Sequence, residues 1–164
     1  MVPLELEAHG LGGWTGLVIF LAIFIGFLCQ PVARRMTNPK ALALGFALVP
    51  LGYLVLLVGV WTGSLGLVLA GTGVTSAASY GFTYLAALSE VALRAPDNRA
   101  RAAAGLFVYA YVGFSVPVIA SGVLADLFGL LPAMAIFFSI QIVITTATVV
   151  FWKRLSSLRA SELA

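Results

Sequence analysis

An all-α integral membrane protein of about five transmembrane helices is the fold class that this sequence predicts, and three observations carry it. The 164 residues are 62% hydrophobic and only 9% charged, where soluble domains are about one quarter charged. Nine Lys and Arg with six Asp and Glu cannot clothe a soluble surface of this size, and a bilayer removes the need. The apolar residues fall into five long runs, and the basic residues are confined to alternate connections between them.

Crossing hydrocarbon takes about 20 apolar residues. The first run is Trp14–Ala33, stopped by Arg34 and Arg35. The second, Ala41–Val60, follows the Asn38-Pro39 turn signal. The third, Leu65–Leu88, follows the short break Trp61-Thr62-Gly63-Ser64, and the fourth is Ala102–Leu124. The fifth is Leu130–Trp152, stopped by Lys153 and Arg154. Each reads as a helix, because backbone groups in hydrocarbon must pair within the segment and no run alternates as a barrel strand does. Residues 1–13 and 153–164 are then tails flanking a helical domain at 14–152.

The connections set the expected orientation. Arg34, Arg35 and Lys40 lie between spans one and two, Arg94, Arg99 and Arg101 between spans three and four, and Lys153, Arg154 and Arg159 after span five. The first tail and the connections at Trp61–Ser64 and Ala125–Gly129 carry no Lys or Arg. By the positive-inside rule the N-terminus is outside and the C-terminus cytoplasmic, in the cell (inner or plasma) membrane. Trp14, Trp61 and Trp152 fall at the expected boundaries, as an aromatic belt requires.

Several classes drop out. The pI near 9.4 reflects an excess of only +3, held beside apolar runs, so it marks topology and not nucleic acid. Cys29 is the only cysteine, which leaves no disulfide framework or thiolate cluster and makes it a small packing residue. His9 has Glu5 and Glu7 nearby as weak metal ligands, but a solvated tail explains all three. The start, Met1 to Gly13, has two glutamates and no basic n-region, unlike a signal peptide. No metal site and no cofactor is expected.

Two segments share a pattern. Gly26-x-x-x-Gln30-x-x-Ala33 ends span one, and Gly122-x-x-x-Asp126-x-x-Gly129 ends span four. One copy ends in the cytoplasm and the other outside, as inverted repeats of secondary transporters do. Spans three to five would form one three-helix unit, and spans one and two the other without its first helix. On that reading the chain is a fragment, truncated or mis-started at Met1.

These residues resemble the major facilitator superfamily, whose twelve helices form two halves of six. Its cytoplasmic signature has the form G-x-x-x-D-R-x-G-R-R. Here the stretch is Gly26-Phe27-Leu28-Cys29-Gln30-Pro31-Val32-Ala33-Arg34-Arg35. The first glycine and both arginines match, while Gln30, Pro31 and Ala33 depart from the pattern. The stretch from Arg101 and Gly105 through Gly113-Phe-Ser-Val-Pro117 to Gly122, Asp126 and Gly129 is similar to the family's eleventh helix and the turn into its twelfth. The resemblance implies that the chain is a partial six-helix half, helices eight to twelve.

By that resemblance span three is the tenth helix, which lines the family's central cavity. Thr72, Ser76, Ser79, Tyr80 and Thr83 are spaced so that a regular helix carries them on one face. They are cavity-lining candidates; alternatively Ser and Thr bond their own i−4 carbonyls or a neighbouring helix. Tyr109, Tyr111 and Ser115 of span four are further candidates, set against packing or lipid contact. The cytoplasmic gate candidates are Gly26, Gln30, Arg34, Arg35 and Glu90. Glu90 would latch to Arg34 or Arg35 in one conformation, or would merely pair with Arg94 one turn on. Gly66, Gly71, Gly73, Gly81, Gly105 and Gly113 permit close helix approach, and Pro50 and Pro117 predict kinks.

The expected function is a fragment of a secondary active transporter, moving a small molecule by alternating access. It would need an N-terminal half or a second copy, besides membrane lipid and the substrate. The alternative is a scaffold or permease subunit that assembles with another membrane protein. A membrane enzyme is not expected, because no His, Asp, Glu or Cys residues cluster within the spans. No Lys-Ser/Thr phosphate loop is present, so the chain is not an ATP motor.

Overall fold

In a computed structural model residues 12–162 are described, with Glu7 and Gly10 before them, and side chains as far as residue 154. His9 and Glu5 of the metal reading, and the side chain of Arg159, lie outside the described residues. Five helices follow one another: α1 (Thr15–Ala33), α2 (Asn38–Trp61), α3 (Leu65–Arg94), α4 (Arg99–Phe128) and α5 (Leu130–Glu162). Among the described residues there is no strand. All five helices are long and apolar enough to cross a membrane. They start between three residues before and one residue after the apolar runs start, and overrun them mostly at the basic end. Hydropathy marks the hydrocarbon, whereas a helix continues until its backbone finds another partner.

The turns explain the breaks. After α2 the Gly63 N–H bonds the Val60 carbonyl at 3.2 Å and the Ser64 N–H bonds the Gly59 carbonyl at 2.9 Å. That pair of bonds is the Schellman motif, and it needs a left-handed residue, here Gly63 at φ 64°. Gly129, at φ 82°, is the single residue between α4 and α5. Asp126, expected in a loop, therefore sits in the last turn of α4. Pro39 opens α2 in the first turn, where its missing N–H costs nothing. Pro31, Pro50 and Pro117 all lie inside continuous helices.

Helices α1, α2 and α3 form the dense part of the bundle. Gly45, Gly52 and Gly59 recur every seven residues along α2 and face α3. A Cβ on Gly59 would lie 2.6 Å from the Val68 nitrogen, and one on Gly52 2.7 Å from the Thr75 nitrogen. A Cβ on Gly45 would overlap Thr83, and on the facing side one on Gly71 would overlap the Leu56 backbone. Two antiparallel backbones thus touch along a seam that only glycine permits. Apolar clusters cap the seam: Val18, Leu56, Val60, Val68 and Met134 at one end, and Ala33, Ala41, Phe82 and Ala86 at the basic end.

The outer helices pack more loosely. Helix α5 lies on α2 through Tyr53, whose ring meets Phe137 and Phe138, each at 5.5 Å, and through Phe46 against Trp152 at 6.4 Å. Helix α4 touches α3 and α5, with Tyr84 and Phe107 at 6.3 Å, and buries no residue. The sequence repeat groups α3 with α4 and α5; the packing groups it with α1 and α2. Gly73 and Gly81 also serve close approach, to α1, whereas Gly66, Gly105, Gly113 and Gly122 face open space.

Candidate functional site

Helix α3 is not regular. Residues Ala77–Thr83 form a π-helical turn between the α-helical pieces Leu65–Ser76 and Tyr84–Arg94. A π turn closes i→i+5 bonds and so carries one extra residue relative to α register. Side chains before and after it no longer share the face that a 3.6-residue period assigns them. The expected stripe on α3 therefore divides.

Thr72 and Ser76 are buried. The Ser76 hydroxyl donates to the Ala22 carbonyl at 2.6 Å and accepts from the Gly26 N–H at 2.8 Å. It thus spans the two backbone groups that close one turn of α1. Gly26 is what admits it, since a Cβ there would sit 2.8 Å from Ser76 Oγ and 2.6 Å from Tyr80 Cβ. Gly26, named above as part of a cytoplasmic gate, is thus buried in the contact between α1 and α3. Tyr80 is half exposed.

Ser79 and Thr83 turn the other way. They line an open cleft of about 310 Å³ between α2, α3 and α5, with Phe46, Val49, Tyr84, Ala87 and Thr145. Ligand cavities begin at about this size. The cleft lies in the half of the bundle toward the basic end, one turn from Pro50 of α2 and beside the π turn of α3. The Thr83 hydroxyl bonds the Ala78 carbonyl at 2.8 Å, closing part of the gap that the π turn opens. Every charged side chain among the described residues lies at a span end, so the cleft walls are uncharged.

Tyr109, Tyr111 and Ser115 are exposed on α4, away from the cleft. At the basic end Arg34 and Arg35 are exposed and Gln30 is half-buried. Glu90 grips Arg94, at 2.6 and 2.8 Å, and accepts from the Asn38 side-chain amide at the start of α2, at 3.1 Å.

The glycine row of α2, Thr145, Gln141 and the pairing of Asn38 with Glu90 were not expected from the sequence. The seven-residue spacing of Gly45, Gly52 and Gly59 was a usable signal, as was an amide in the middle of the fifth run. Gln141 has its Oε1 atom buried without a hydrogen-bond partner, a state that costs about 1–3 kcal/mol. Among the described residues no three His, Cys, Asp or Glu side chains come together as a metal site would need.

The fold and the uncharged cleft define a multi-pass helical membrane protein. No family model, curated protein or solved structure matches the chain.

Proposed function

We propose that the chain is part of a secondary transporter that moves a small molecule through the membrane by alternating access. The observation that carries this reading is the uncharged cleft lined by Ser79, Thr83 and Thr145, beside the π turn of α3. Irregular backbone inside a membrane is tolerated where it lines a cavity. The likeness of the Gly26–Arg35 stretch and of the Arg101–Gly129 segment to the major facilitator superfamily supports the same reading. On it the basic end is cytoplasmic, the membrane is the cell (inner or plasma) membrane, and a further half or a second copy supplies the facing wall.

A second reading is favoured by α4, which buries no residue and leaves Gly105, Gly113 and Gly122 facing open space. On it the chain is a scaffold or permease subunit whose α4 packs against another membrane protein.

Cysteine accessibility separates the two. In a Cys29→Ser background, single cysteines replace Ser79 and Asp126 and are exposed to a membrane-impermeant thiol reagent in intact cells. Transport with the proposed orientation predicts that Asp126→Cys reacts from outside and that Ser79→Cys reacts with water-soluble reagent from at least one side. An unreactive Ser79→Cys beside a reactive Asp126→Cys removes the aqueous cleft and leaves the scaffold. A protected Asp126→Cys that reacts only in inverted vesicles reverses the orientation, and the family likeness falls with it.

A further inference from the structure

Gln141 stands midway along the Leu130–Arg154 span on the inward face of α5. One to three turns away on that face are Met134 in the core, Phe137 and Phe138 against Tyr53, Thr145 in the cleft and Trp152 against Phe46. Its buried carbonyl oxygen has no donor, and hydrocarbon offers no water to supply one. Thr145, four residues on, stands directly below it on the same face.

Hydroxyls in these helices are mostly spent on their own backbone: Thr75, Thr83, Ser89, Ser121, Ser139 and Thr148 each bond a carbonyl three to five residues back. Ser79 and Thr145, which line the cleft, are not spent in this way. Across the cleft Pro50 has no N–H to give the Phe46 carbonyl. The groups left without a backbone partner are thus the Gln141 oxygen and the Ser79 and Thr145 hydroxyls, beside a recess whose walls carry no charge and include Phe46, Val49 and Tyr84.

We propose that Gln141, with Thr145 and Ser79, forms a binding site for a small uncharged solute rich in O–H or N–H donors, a polyol or simple sugar in chemical class. The solute donates to the Gln141 oxygen, which turns about its three side-chain bonds toward Thr145, and lays its apolar face on Phe46 and Tyr84. A charged solute would be desolvated against walls with no counter-charge, and is disfavoured. The inference rests on the transport reading in one respect, that water reaches the cleft.

The test uses the full chain in lipid nanodiscs, with Cys29→Ser and Ala87→Cys. Ala87 lines the cleft but makes no polar contact there. The rate of reaction with a water-soluble maleimide is measured with and without glycerol, myo-inositol or D-glucose at millimolar concentrations, and with gluconate as the charged comparison. At least one of the neutral solutes should slow labelling severalfold and gluconate should not. Gln141→Leu should abolish the protection, Gln141→Asn should keep part of it, and the solute-free Gln141→Leu chain should melt no lower than its parent. A reactive thiol that no neutral solute protects overturns the site and leaves the aqueous path standing. Protection unchanged by Gln141→Leu also overturns it. A Gln141→Leu chain that melts lower or fails to fold means that the amide is already satisfied, and overturns it too. A thiol that is unreactive from both sides refutes the transport reading, and this inference with it.

Discussion

Replacing Gly59 by alanine places a methyl group where the backbone of α3 already lies. The new Cβ would be 2.6 Å from the Val68 nitrogen and 2.9 Å from the Leu67 carbonyl carbon, whereas ordinary contact begins at 3.4 Å. The opposing atoms are backbone and cannot swing aside, so α2 and α3 must part locally by nearly an ångström. Overpacking of this kind costs about 1–3 kcal/mol. Alanine's better helix propensity returns at most about 1 kcal/mol. The net expectation is a loss of about 1–2 kcal/mol, by difference of those two terms. Gly113→Ala is the matched control: nothing lies within 4 Å of its Cβ, so only the propensity gain of up to about 1 kcal/mol applies. Both variants would be unfolded by adding sodium dodecyl sulfate to mixed micelles, with the helical circular dichroism signal followed. A Gly59→Ala chain as stable as its parent, or a Gly113→Ala chain that loses as much, would refute the glycine seam as the contact that holds the bundle.

Ser76→Ala removes the hydroxyl that joins α3 to the Ala22–Gly26 turn of α1; a loss of about 1–2 kcal/mol is expected, read in the same titration, and an unchanged stability would mean the bond contributes nothing net. Glu90→Gln removes the ion pair with Arg94, whose side chain is 55% exposed. Such i,i+4 pairs contribute only a few tenths of a kcal/mol, so stability should barely change, and a large loss would mean that the Glu90 charge carries weight beyond the Arg94 pair. Tyr109→Ala and Tyr111→Ala, on the exposed face of α4, should leave the monomer's unfolding curve unchanged; a marked shift would place those rings inside a packed interface.

The number of spans, their approximate limits and the side carrying the basic residues were legible because they depend on one-dimensional quantities. Length against hydrocarbon thickness and the placement of Arg34, Arg94 and Lys153 need no tertiary contact to read. The close approach of Gly71, Gly73 and Gly81 was also legible, since a missing side chain constrains any neighbour. The same reasoning went too far at Gly66, Gly105 and Gly113, where no neighbour comes within reach. Glycine permits contact but does not create it.

The polar residues of α3 were harder to read. A uniform 3.6-residue period places Thr72, Ser76, Ser79 and Thr83 on one face. The π turn at Ala77–Thr83 sends Ser76 to the backbone of α1 and Ser79 and Thr83 to a cleft shared with α2 and α5. Nothing in residues 77–83 alone demands that turn.

Composition and the spacing of charge, then, determined by themselves that this chain is a five-span helical membrane protein, because partition between water and hydrocarbon acts on each segment separately. Which helices touch, which hydroxyls are spent and where a cleft remains were decided only by the tertiary structure. Between helices in lipid the association rests on close backbone packing and a few hydrogen bonds, and both depend on two segments meeting in one particular register.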